Sequence, residues 1–192
     1  MCLSGCTPRE KPEYQSTREC KRTIEKCPNQ SVDTPLSETK KQAILNKLKE
    51  SGKADDIVKA IEDGEIEMYE MNDAKSQDLL TLKHGKKINS ENTLALRYGK
   101  KIYIARELND AVAATHTAHE VTHVLDESPN KTKADILQRE IKAFEKQMEV
   151  WEALKKKEPS LQDQGEDATL KFKKDGKLEA AIKATYDISE GI

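Results

Sequence analysis

The sequence predicts an α+β fold: a small antiparallel sheet, then two long helices, with short helices on the N-terminal side. Three observations carry that prediction. Residues 93–105 alternate in strand period around a Gly-Lys turn. Residues 112–125 contain no Gly or Pro and are rich in Ala. Residues from about 132 to 157 repeat apolar side chains at spacings of three and four, which is a helical stripe.

Taken in order, residues 37–63 read as two short helices. Ile44, Leu45 and Leu48 stripe the first, which stops at Gly52; Ile57, Ala60 and Ile61 stripe the second, which stops at Gly64. They read as scaffold, packed on the sheet or over a cleft. Leu79 to Leu82 adds a short strand before a turn at Gly85. Leu94, Leu96 and Tyr98 then share one strand face, Gly99-Lys100 turns the chain, and Ile102 and Ile104 share a face with Tyr103 opposite. Asn109 and Asp110 can cap a helix that begins near Ala111. The following long helix carries Ile136, Leu137, Ile141, Phe144, Met148, Trp151 and Leu154 as its stripe. Residues 158–175 read as a polar loop, and 177–187 as a last helix striped by Leu178, Ala181, Ile182 and Tyr186. The organisation expected is an arm over 1–36, one domain over 37–157, and a polar loop with a terminal helix over 158–192.

Composition narrows the function classes. A chain of 192 residues with 35% hydrophobic content suits one compact domain with long solvated segments. Its 33 basic and 35 acidic residues nearly cancel, and no basic patch stands out, which argues against nucleic-acid binding. No run of 18 apolar residues is present to span a bilayer as a helix, and no internal repeat is evident.

The first residues carry a different signal. Leu3-Ser4-Gly5-Cys6 resembles a bacterial lipobox, in which the Cys becomes the lipidated first residue of the mature protein. That resemblance implies a membrane tether through Cys6 and a place in the bacterial cell envelope, lipid-anchored or secreted. Five residues precede Cys6, fewer than a basic segment and an apolar core of about 7–15 residues require. Either leader residues lie upstream or the match is accidental, in which case a cytoplasmic location is expected. Residues 7–33 are polar and Pro-containing, as a tether would be. The four Cys, at 2, 6, 20 and 27, all fall in this arm; Cys20 and Cys27 could close a small disulfide loop, and free or disulfide-bonded thiols suit them better than a second metal site.

The chemistry centres on His119-Glu120-Val121-Thr122-His123, an HExxH motif. On a helix the two His lie one turn apart on one face, so both imidazoles can reach one zinc ion. Glu120 between them is placed to take a proton from the attacking water. His116 shares this face but sits about 10 Å along the axis from His123, too far to join it on one ion; it reads as a lining or supporting residue. A catalytic zinc keeps three protein ligands and one open position. The sequence after His123 has Asp126 and Pro129 where a GxxH extension would continue. Glu140 falls inside the apolar stripe of the next helix, where an isolated carboxylate is costly and a cation is its natural partner. Glu140 is therefore the favoured third ligand, with Asp126 as the alternative.

HEVTH, a short loop and then Glu140 resembles the gluzincin pattern of zinc metallopeptidases, in which a Glu on the following helix completes the site. Beside thermolysin, the best-known member, the chain more nearly resembles small bacterial gluzincin-like peptidases whose second helix carries E-x-x-A-x-x-x-Q, here Glu140, Ala143 and Gln147, followed by Trp151. The resemblance covers roughly residues 92 to 157. It implies a zinc cofactor held by His119, His123 and Glu140, with Glu120 as general base, a polypeptide substrate, and an edge strand able to pair with the extended substrate. Thermolysin-like members place an Asp one turn after the third ligand to orient the first His. Phe144 stands there in this chain, so that support is missing or comes from elsewhere, with Asp126 and Glu145 as candidates. An oxyanion donor is also expected, from Tyr98, Tyr103, His116 or Tyr186. Two other functions fit the same residues: a non-catalytic binding protein on a metallopeptidase scaffold, and an intracellular regulatory protease.

Overall fold

A computed structural model describes residues 33–72, 93–128 and 132–185. Within them the order is β1 (Thr34–Pro35), α1 (Glu38–Ser51), α2 (Asp55–Glu62), β2 (Glu67–Met71), β3 (Ala95–Tyr98), β4 (Lys101–Ala105), α3 (Asp110–Leu125), α4 (Lys133–Lys157), α5 (Gln164–Lys174) and α6 (Leu178–Thr185).

The helices start and stop where local chemistry tells them to. Ser37 caps α1 by accepting from the Lys40 amide, and Gly52 ends it at φ 62°, a left-handed conformation that side-chain-bearing residues rarely adopt. Asn109 caps α3 by accepting from the Val112 amide at 2.9 Å. Thr132 and Asp135 close a reciprocal capping box at the start of α4, and Lys155, Lys156 and Lys157 occupy its last turn, where the helix dipole favours cations. Both helices stay unbroken because neither contains Gly or Pro.

The sheet has the order β1-β2-β4-β3. The β3–β4 hairpin is antiparallel, as the alternation predicts, with Ala95 opposite Ile104 and Arg97 opposite Ile102. β1 pairs antiparallel with β2, and β2 pairs parallel with β4, which makes the whole sheet mixed. Directly opposed residues project to the same side, so one face carries Met68, Glu70, Ile102, Ile104, Ala95 and Arg97. On this face Met68, Ile102 and Ile104 join the main core with Val112, Ala113, Ala118 and Val121 of α3 and Ile44, Leu48, Ile57 and Ile61 of α1 and α2. The other face carries Met71, Leu96 and Tyr103 as a separate cluster, with Tyr69 stacked on Tyr103 at 5.4 Å.

α3 is covered on nearly all sides, and its Thr residues are reconciled to burial by back-bonding. Thr115 donates to the Val112 carbonyl, Thr117 to Ala113 and Thr122 to Ala118. α4 lies along it and contributes Met148, Val150, Trp151 and Leu154 to the core. α6 packs Leu178 and Ile182 on Leu137, with Ile141 and Phe144 beside them.

Four features differ from the sequence expectation. Residues 33–36 join the fold: Thr34 and Pro35 pair with β2, Leu36 is buried, and Asp33 accepts from Lys101 and from the Tyr103 hydroxyl. The strand β2 arises in a stretch with no strong strand propensity. Residues 164–174 form α5 where a polar loop is expected, capped by Asp163 and anchored by Leu170 and the buried Glu166. Ile136 is 38% exposed although it sits on the predicted stripe of α4. The strand expected at Leu79 to Leu82, and Cys2, Cys6, Cys20, Cys27 and Tyr186, lie outside the described residues.

Candidate metal centre

His119 and His123 are one turn apart on α3, and both are buried, at 6% and 7% exposure. Glu140 reaches them from the second turn of α4, with its side chain 14% exposed. The His119 and His123 Nε2 atoms stand 3.2 Å apart. Glu140 Oε1 is 3.4 Å from His123 Nε2, and Oε2 is 3.6 Å from His119 Nε2. A tetrahedral ion with ligand bonds of about 2.0–2.1 Å separates its donor atoms by roughly 3.3 Å. The observed triangle is close to one face of that tetrahedron.

The polar accounting points the same way. No donor among the described residues comes within hydrogen-bond distance of Glu140 Oε2, although the atom is buried. A buried carboxylate beside two imidazoles, with no Lys or Arg among the described residues in hydrogen-bond contact, is an arrangement that a cation completes. Burial pushes the Glu140 carboxyl up, but contacts with His119 and then His123 outweigh it and hold the group well below the ordinary carboxylate range. These three side chains could hold a metal ion.

The surroundings show what orients these side chains. Phe144, one turn after Glu140, packs edge-on against His119 with ring centroids 4.6 Å apart. It fixes the ring by contact but accepts no hydrogen bond, and His119 Nδ1 is buried without a partner among the described residues. The support that an Asp would give at this position is therefore replaced by an aromatic edge. Asp126 and Glu145, weighed as supporting groups, do not reach an imidazole. Asp126 is buried at the end of α3, accepts from the amide and hydroxyl of Ser128 and from Lys142 Nζ, and lies 3.8 Å from Arg139 Nε. Arg139 in turn donates to the His123 carbonyl at 2.9 Å. Asp126 thus ties the C-terminus of α3 to the turn of α4 that carries Glu140, and is not placed as the third ligand. Ser128 first and then Lys142 hold its carboxyl down to about 2, against the burial that raises it. Glu145 is exposed.

Of the expected oxyanion donors, Tyr98, Tyr103 and His116 fall elsewhere, and Tyr186 lies outside the described residues. Tyr103 lies on the sheet face away from α3, with its hydroxyl given to Asp33 at 3.1 Å. Tyr98 shares that face by alternation and is 47% exposed. His116 is taken up by a second polar layer. Its Nε2 lies 3.1 Å from Glu166 Oε1, and Glu166, 2% exposed, also accepts from Thr115 Oγ1 and from Gln147 Nε2. This layer fastens α5 across α3 and α4, two turns of α4 beyond Glu140. Gln147, part of the second-helix pattern, has its partner here.

Two residues near the centre escape the sequence reading. One is Glu166, whose signal was an Asp163–Glu166 spacing typical of a helix start. The other is Arg97, which alternation places on the α3-facing side of β3. Burial is the main cause that lowers its guanidinium below the usual arginine value; Glu120 and Glu140 raise it, and Arg139 lowers it further.

No family model matches the chain, and no curated protein or solved structure matches it either.

Proposed function

We propose that the protein is a zinc metallopeptidase of gluzincin type, with His119, His123 and Glu140 as ligands and Glu120 as the general base. The single observation behind this reading is the convergence of His119, His123 and Glu140 at metal-ligand spacing, with a Glu between the two His. The donor set favours zinc: two imidazoles and one carboxylate with close to tetrahedral spacing suit a borderline ion without a strong geometric preference of its own. Zinc bound there supplies a Lewis acid for the scissile carbonyl and lowers the pKa of water towards 7. Glu120 then takes the proton from the attacking water as its oxygen bonds to the carbonyl carbon. The same carboxyl returns that proton to the amine nitrogen as the C–N bond breaks. Glu120 is partly buried on α3, held by a helix whose neighbours fix it on both sides, so the base needs little reorganisation. A purely structural metal site would not need a carboxylate at this position, which favours catalysis over a binding role.

The test is Glu120→Gln, which keeps the shape and both His. Zinc content should be unchanged, and hydrolysis of casein or a quenched peptide library should fall by at least about 100-fold. Equal cleavage by the variant and the parent would remove Glu120 from the reaction. No zinc-dependent cleavage by the parent would remove the peptidase assignment.

A further inference from the structure

Arg97 is the one charged side chain that β3 presents to the α3 side of the sheet, because Arg97 stands opposite Ile102 and Ile102 is in the core against α3. It is partly buried and makes no hydrogen bond or ion pair with any described residue. The nearby cation is differently placed: Arg139 donates to the His123 carbonyl and to the Ser128 carbonyl and lies against Asp126. Guanidinium groups keep their charge in proteins, and partial burial of one with no ion-pair partner among the described residues is costly, so such a group is a ready site for an anionic oxygen.

Charge around the centre sharpens this. Glu120 and Glu140 are the acidic groups acting on Arg97. A divalent ion at the His119–His123–Glu140 cluster would already balance those two carboxylates, leaving Arg97 in excess. β3 is also an edge of the sheet among the described strands, so an extended chain paired alongside it would run past Arg97. We infer that Arg97 is a specificity-determining residue that binds a carboxylate of the substrate, so that this enzyme prefers peptides carrying a negative charge close to the scissile bond. The carboxylate is either the C-terminal one or the side chain of an Asp or Glu. The inference rests on the peptidase reading of the centre.

The experiment is a binding measurement on zinc-loaded, full-chain Glu120→Gln protein, in which cleavage is suppressed. Three probes are titrated by calorimetry: an N-acetylated tetrapeptide with a free C-terminus, its C-terminal amide, and the amide with one internal Glu. The first or the third should bind at least about tenfold more tightly than the neutral amide, as a charge-assisted bidentate pair would give; which of the two does so identifies the carboxylate. Adding Arg97→Gln should abolish the preference while zinc content and melting temperature stay unchanged, and Arg97→Lys should restore part of it. In active protein, Arg97→Gln should raise KM for the acidic peptide more than it lowers kcat. An unchanged preference in Arg97→Gln would overturn the role of Arg97, as would loss of zinc from that variant, which would make it a structural counter-charge. Equal affinity for all three probes would overturn the specificity while leaving the peptidase reading intact. No binding of any probe would overturn both.

Discussion

Removing the Glu140 carboxylate tests the metal centre at its least local point, since the two His come from one motif and Glu140 from another helix. Glu140 is one of three side chains whose donor atoms converge within 4.8 Å. A full four-ligand structural zinc site is worth about 10–16 kcal/mol, so one ligand accounts for roughly 3 kcal/mol, or about 100-fold in Kd. Glu140→Ala should weaken zinc binding by at least that factor. Glu140→Gln, which keeps the volume and one weak oxygen donor, should fall between it and the parent. Asp126→Ala should weaken binding by no more than about tenfold, because Asp126 reaches Arg139 and Lys142 and no imidazole. The assay is competition against a chromophoric chelator, with zinc stoichiometry after dialysis as a second reading and far-ultraviolet circular dichroism to show that the variants fold. The α3–α4 contact keeps Met148, Val150, Trp151 and Leu154 in every variant, so folding should survive. Full zinc occupancy in Glu140→Ala together with loss in Asp126→Ala would refute the geometry and move the third ligand to the end of α3.

Three further outcomes follow from named contacts. Asp126 has a folded pKa of about 2, below its unfolded value, so its stabilisation is present above about pH 4 and is lost as pH falls towards 2; Asp126→Asn should lower stability at neutral pH and flatten the acid limb of a denaturation series. Glu166→Ala leaves Gln147 Nε2 and His116 without their carboxylate, and urea unfolding should show a loss of about 2–4 kcal/mol; an effect below about 0.5 kcal/mol would show that the second polar layer does not hold α5. Trp151→Phe removes the indole donor to Asp167 at 2.9 Å while keeping most of the buried volume, and should cost roughly 1–2 kcal/mol by the same measurement.

The legible parts of this protein are those whose causes are local in sequence. α3 and α4 can be read because their caps, Asn109 and the Thr132–Asp135 box, sit at the ends of Gly- and Pro-free runs, and because the α4 stripe recurs at helical spacing. Glu140 can be read for the same reason: a carboxylate inside an apolar stripe needs a partner, and the His pair lies one short loop upstream. β2 resists reading because its Glu and Met residues have little strand preference, and because it is held by parallel pairing to β4, 34 residues on. α5 resists because its buried anchor is a carboxylate. A polar segment without a clear stripe looks like a loop until Thr115, His116 and Gln147 are known to converge on Glu166, and those partners are 19 to 51 residues away. Arg97 shows the limit most clearly. Alternation along β3 separates it from Leu96 and Tyr98, but only the placement of α3 decides which side faces the candidate metal centre. The apolar side, which hydrophobicity assigns to the core, forms the lesser cluster with Met71 and Tyr103, and the side carrying the charge faces the helix that carries His119 and His123. An isolated strand pattern therefore fixes which residues share a face and leaves open which face is functional. Here that second choice was made by the burial of Ile102 and Ile104 against α3, and it carries Arg97 to the edge of the site.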